Sequence, residues 1–407
     1  MIDRRIVTSR MVRMARMAAV ARLAGVARVA WVAWVAAVAV VASGCGGEPE
    51  PEAAGSGPGG AAVALLSTDP PEAGFARALG PRPFLFPADH GPHPDYRHEW
   101  WYLTGNVESE TGRHFGFQVT FFRFAAAPGA PQRPSQWAAH HLWMGHFAVT
   151  DTAAGRFHHH ERIARGALGL AGAEAEPFRV WLEDWSLAGV AGRFDHLALA
   201  VREGDEALSL TLRQVKPLVF QGEGGYSRKG PHPGDASYYY TAPRLEVSGV
   251  VETAEGRHAV TGTAWLDREW GTGTLAEGQV GWDWFSIQLA DGREMMFYHL
   301  RREDGTVDPR SKGAWVDAAG RSRVLGVDDV ELEVIGHWRS PDGAARYPSG
   351  WRLRYSDEGL DLELTPRLAD QELRGGTFRY WEGALEVSGT AHGRPITGVG
   401  YGELTGY

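Results

Sequence analysis

Cysteine is all but missing. Cys45 is the one cysteine of the 407-residue chain, so no disulfide can form within it and packing must hold the fold together. Neither HExxH nor CxxC spacing occurs, which leaves no familiar zinc ligand set, and no metal is expected. No GxSxG elbow is present either, so hydrolysis through a serine or cysteine nucleophile lacks its usual parts. Gly-rich phosphate loops are absent too. The apolar run Val29–Ala42 has 14 residues, short of the roughly 20 that a membrane-crossing helix needs.

That run belongs to a distinct first segment. Residues 1–45 carry seven Arg and one acid, then the apolar run, then "ASGC" ending at Cys45. A basic start, a short apolar stretch and small residues before a lone cysteine form a bacterial secretion signal of the lipoprotein type; a simple cleaved signal or a membrane anchor are the alternatives. Met11, Met14 and Met17 are further candidate start sites. The expectation is an exported chain, on the periplasmic or extracellular face of a bacterial membrane (the outer one), whose only membrane contact is a lipidated Cys45. Removing a leader of charge +6 from the formal −9 leaves −15, which argues against nucleic acid or an anionic bilayer surface as partner. Residues 46–83 begin with "GGEPEPEAAGSGPGG", too poor in apolar residues to fold, and read as a flexible tether ahead of ordered chain from Phe84.

What the chain has in quantity is aromatic side chains, 16 Trp, 16 Phe and 12 Tyr, together with 53 Gly and 23 Pro. Aromatics favour strands and line apolar cavities as readily as cores, and abundant Gly and Pro supply turns. Segments such as "FGFQVTFF", "ALSLTL", "DWFSIQL" and "LDLEL" alternate with period two, separated by "ETGR", "AEGR" and "ADGR" turns. The fold class is therefore all-β. Two stretches also match each other: Tyr238–Asp267 lies over Phe378–Glu403, with "EVSG" at Glu246 over that at Glu386, Trp265 over Tyr401, and Asp267 over Glu403. The chain reads as two copies of one unit, 84–271 and 272–407, each an antiparallel barrel, since closure removes sheet edges and can enclose a ligand; a sandwich is the alternative.

Several residues stand out chemically. Asp267 lies two places after Trp265, so both share one face of a strand while Leu266 and Arg268 take the other. If that face is a barrel lumen, apolar surroundings would keep the carboxyl protonated, which a general acid near neutral pH requires. The same aromatic and acid recur as Tyr401 and Glu403, which favours an architectural reading. "HEWWYLTGNV" places Trp100 and Tyr102 on one face, with Glu99 as a further acid, and "GWDWF" contributes Trp282 and Trp284. Tyr238 and Tyr240 offer hydroxyls on a common face. The histidines at 140, 141, 146 and 158–160 read as a solvated loop.

Taken together, "HPDYRHEWWYLTGNV", "GRHFGFQVTFFR", "YYYTAPRLEVSG", "AWLDREWG", "GWDWF", "YWEGALEVSG" and the terminal "GYGELTGY" resemble the secreted, double lipocalin-like family that includes carotenoid 1,2-hydratases (hydroxyneurosporene synthases), over His93–Tyr407. The resemblance implies two calycin-like barrels and an apolar ligand. In those hydratases the acid of the "AWLD" strand is the suggested proton donor, and it matches Asp267. A Tyr two residues before it and an upstream His-x-Trp pair are replaced here by Trp265 and Tyr238-x-Tyr240. The implied chemistry is hydration or isomerisation of an alkene without a cofactor: Asp267 donates the proton, Trp265 and Trp284 face the cation, Tyr238 or Tyr240 holds water, and Trp100 and Tyr102 line the site. The other function class is a periplasmic carrier of an apolar molecule that performs no turnover.

Overall fold

The computed structural model describes residues 74–128, 135, 137–273 and 275–407. The leader, Cys45 and the tether as far as residue 73 lie outside the described residues. Ordered chain starts ahead of the expected Phe84: Ala78 is fully buried and Tyr238 donates to the Gly80 carbonyl at 3.0 Å.

Period-two alternation produces strands almost throughout. Among the described residues the helical pieces are two 3-10 turns, Ala88–His90 and Ser356–Glu358. One antiparallel sheet runs, edge to edge, through Arg156–Arg165, His141–Asp151, His114–Ala125, His98–Ser109, Gly256–Gly271, Ala236–Thr253, Glu206–Gln214, Arg193–Glu203, Trp185–Val190, Phe178–Leu182 and Ala171–Ala175. The second runs through Ser322–Gly326, Lys312–Val316, Glu294–Arg302, Gln279–Leu289, Arg394–Thr405, Tyr380–Ala391, Leu360–Pro366, Trp351–Tyr355 and Glu331–Val334. In both, the first long strand of the copy pairs with its last, and that last strand pairs with the one before it. The duplication seen in the sequence is thus a duplication of topology.

Each sheet curls over its own apolar face, giving two tandem near-closed antiparallel barrels. Trp143 and Val149 from one end of the first sheet share a core with Leu182 and Trp185 from the other, along with Trp101, Phe115, Phe117 and Leu266. The second barrel is filled in the same way by Phe285, Phe297, Trp315, Trp351 and Trp381. This corrects the expected placement of the acid. Large rings occupy the first barrel's interior and Leu266 points there, so the alternation turns Trp265 and Asp267 outward, toward the second barrel.

The inward side of the same strand carries a charge. Arg268 is fully buried over the ring of Trp101, 3.9 Å from its centroid, and pairs with Glu99, which also pairs with Arg123. Burial alone would raise the Glu99 carboxyl, but the two guanidiniums outweigh it and hold the group well below the usual carboxylate range. Glu99 is therefore a structural anion, which removes it from the candidate acids. We predict that Glu99→Gln, which strands two buried guanidiniums, costs about 3–5 kcal/mol, read as a lower urea midpoint; an unchanged midpoint would show that the network does not hold the strands.

Candidate active site

The outward faces of the two barrels meet around a cavity in which the centre of a water-sized sphere has about 90 Å³ available. The first barrel contributes Trp100, Tyr102, Tyr239, Asp267 and Glu269, and the second Trp282, Trp284, Tyr298, Tyr380, Glu382 and Glu403. Phe122, Phe124, Leu300 and Phe378 extend the apolar wall. The pairing register explains why so many polar groups converge. Asp267 lies opposite Tyr102 and Thr241 on its neighbouring strands, and Glu403 lies opposite Trp284 and Glu382. Equivalent faces of the two copies are pressed together, so each delivers its acid to one space.

Asp267 is held by three donors. Tyr239 donates its hydroxyl to Oδ2 at 2.6 Å, while Thr241 and the Trp265 indole donate to Oδ1 at 2.6 and 2.8 Å. Trp284 in turn donates to the Tyr239 oxygen at 3.2 Å, a bond that crosses from one barrel to the other. Burial raises the carboxyl and the three hydrogen bonds lower it; burial wins, and Asp267 is pushed up to about 7.

Two further acids are kept protonated in the same space. Burial pushes the half-buried Glu403 up to about 8, with one hydrogen bond from Trp282 at 3.1 Å. Glu382 is raised well above the carboxylate range by burial and by the neighbouring Glu403; it accepts from Tyr102 at 2.5 Å, and its Oε2 has no partner among the described residues. The fourth acid behaves differently: Glu269 is paired with Lys229 and receives the Ser237 hydroxyl. The Lys229 ammonium lies 5.8–5.9 Å from the ring centroids of Trp100, Tyr239 and Tyr298, so these aromatic faces already accommodate positive charge. The arrangement can deliver a proton to an apolar guest and stabilise the cation that results.

A family model described as AttH-like matches residues 77–407. The chain belongs to the AttH-like family. The double-lipocalin likeness read from the motifs therefore holds. A candidate AttH from Nitrosomonas europaea, known from a crystal structure, is 38% identical, with a TM-score of 0.71 over 82% of this chain and 100% of that one. Kievitone hydratase from Nectria haematococca shares the fold, with a TM-score of 0.61 and 16% identity over 82% of this chain and 98% of that one. In sequence, kievitone hydratase of Fusarium solani subsp. phaseoli is 23% identical over 210 residues, 48% of this chain. This AttH-like chain spans about half, 55%, of that relative's length.

Of the residues singled out from the sequence, Trp100, Tyr102, Trp284 and Asp267 line the cavity of this AttH-like protein. Trp265 stands behind the acid, orienting it through its indole N–H; the cavity wall does not include it. Tyr238 and Tyr240 lie on the opposite face of their strand. Tyr240 meets His90 at 2.8 Å, Tyr238 reaches Gly80, and neither touches Asp267. The residue between them does. Tyr239 escapes sequence reasoning because the constant offset that lays Glu246 over Glu386 puts Tyr240 in the place of Tyr380, whereas the strand bulges between Ala242 and Leu245 and shifts the register by one. Pro243 was the available signal, since proline inside a strand marks an edge or a bulge. His140 lies in a bend, but the other histidines form no loop: they sit on the strands His141–Asp151 and Arg156–Arg165, where alternation buries His146 and turns His158 and His160 toward Glu206.

The proton balance of Asp267 has a definite sign. Its value rises from 3.8 to about 7 on folding, so the native state holds a proton that the unfolded chain releases, and stability declines as pH rises from about 4 to about 7. We predict that carbon-13 titration of labelled aspartate places Asp267 near 7, and that Tyr239→Phe, deleting a donor to the ionised form, moves it higher. A downward move would contradict this account of the site.

Proposed function

We propose that this AttH-like protein is a hydratase-type enzyme for an apolar small molecule, adding water to an alkene of the isoprenoid kind through acid catalysis. The observation that carries the reading is the set of neutral carboxyls, Asp267, Glu403 and Glu382, in a cavity walled by aromatic rings. Protonating a trisubstituted alkene leaves a tertiary cation, which requires a proton donor that is neutral at working pH, aromatic faces for the charge, and a water.

Asp267 donates the proton. Tyr239, Thr241 and Trp265 fix the carboxyl and stabilise the carboxylate that forms, because all three donate to its oxygens. Trp100, Trp284 and Tyr102 face the cation, and water adds from the second barrel's wall, where Glu382, Glu403 and Tyr380 lie. No cofactor is needed for these steps. The modest cavity favours a branched alkenyl end of a molecule over a whole polyene, so carotenoid hydration is the less favoured substrate choice. Export and lipid anchoring through Cys45 belong to the same proposal and would put the site beside a bilayer that holds apolar substrate.

A second reading, a carrier that performs no turnover, is favoured by one feature: both oxygens of Asp267 already have donors, as a purely structural carboxyl would. Incubation with kievitone and with para-prenylphenol, followed by mass spectrometry for the gain of one water, separates the two. Turnover that falls at least about 100-fold in Asp267→Asn supports the hydratase. Turnover unaffected by that change removes the acid role, and binding of either compound without conversion supports the carrier.

A further inference from the structure

We propose that Tyr380, His146 and Glu161 form a proton relay from the cavity to the surface, in which Tyr380 is the catalytic residue that takes the proton of the adding water. The inference rests on the hydration reading and extends it to residues from three strands. Tyr380 lines the cavity two places before Glu382 on the same strand face, and its hydroxyl lies 2.6 Å from His146 Nδ1. The other ring nitrogen, Nε2, lies 3.1 Å from Glu161 Oε2. Glu161 is partly exposed, and the Thr377 backbone N–H donates to both its oxygens at 3.0 and 2.9 Å. His146 itself is almost wholly buried, stacked on Tyr380 with Phe122 and Phe378 edge-on.

A buried histidine satisfied by two neighbours is the bland account, but it does not explain the order of the chain. The phenol is at the cavity end, the imidazole in the middle and the carboxylate at the wet end. Against the burial that would raise it, the bonds from His146 and Thr377 hold Glu161 low, and a carboxylate there selects the Nε2–H tautomer, leaving Nδ1 free to accept. Of the other titratable groups, His159 bears on His146, and Glu382, Glu403 and Tyr401 bear on Tyr380.

The step balances as follows. Water forms a C–O bond to the cation; one of its O–H bonds breaks and that proton passes to the Tyr380 oxygen while the phenolic proton passes to His146 Nδ1. Glu161 stabilises the imidazolium, takes its Nε2 proton and, being partly exposed, passes it to solvent; Asp267 regains one from solvent. Alkene and water become alcohol with no other change. His146 and Glu161 are positioning residues that act through Tyr380.

Turnover of para-prenylphenol in deuterium oxide tests the relay. Alcohol formation should fall about 100-fold in Tyr380→Phe and His146→Gln at unchanged KM, while deuterium still enters the vinylic position of recovered probe, because protonation by Asp267 is untouched. Glu161→Gln, at the partly exposed end where folding is least at risk, should lower kcat and alter its pH profile. Alcohol formation at the native rate in Tyr380→Phe or His146→Gln would overturn the relay. Nitrogen-15 NMR judges it without turnover: the neutral His146 ring should carry its proton on Nε2, losing that preference in Glu161→Gln, and a proton on Nδ1 in the native protein would overturn the proposal. Absence of both hydration and deuterium entry in the native protein would instead count against the hydratase reading, leaving the tautomer to decide the relay.

Discussion

Carboxyl groups deprived of water between two barrels are the constraint on which the site depends. An acid on a strand that faces solvent ionises near its ordinary value. Pressing the acid-bearing strands of two barrels together buries Asp267 and Glu382 and half-buries Glu403; loss of water raises all three, and Glu403 raises Glu382 further. The barrels can meet so closely because their own interiors are already filled by rings and aliphatic side chains, leaving the outer faces to supply the chemistry.

The contrast with Glu99 shows how much the partners decide. Glu99 and Asp267 are both buried acids on paired strands, yet they end in opposite states. Glu99 has two guanidiniums and stays charged, whereas Asp267 has only hydroxyl and indole donors, which stabilise its anion too weakly to offset the loss of water. One strand carries Arg268 on its inner side and Asp267 on its outer side, separating a fixed ion pair from a labile proton by the thickness of a sheet.

Much of this was legible in the sequence because it follows from alternation. The strands, the duplication, the shared face of Trp265 and Asp267 and the exclusion of Arg268 from that face need only a period of two. Which face is the inside cannot be read from the period, since Trp101 and Leu266 on one side and Trp100 and Trp265 on the other are equally apolar. Tyr239 was lost to a single bulge, which reverses every side chain on one flank of Pro243. His146 and Tyr380 could not be joined at all, because 234 positions separate them and only the docking of the two barrels brings them into contact.

The cavity wall, assembled from matching halves, has an evolutionary corollary. Neither barrel alone encloses the site, so an ancestor with a single barrel would have needed to pair with its own twin, in an isologous dimer whose central chamber had identical sides. Within one chain the two sides need not match. Asp267 stands where the other half has Glu403, Tyr102 where it has Trp284, and Thr241 where it has Glu382. A chamber with unlike sides can tell one end of its guest from the other, which a symmetric one cannot.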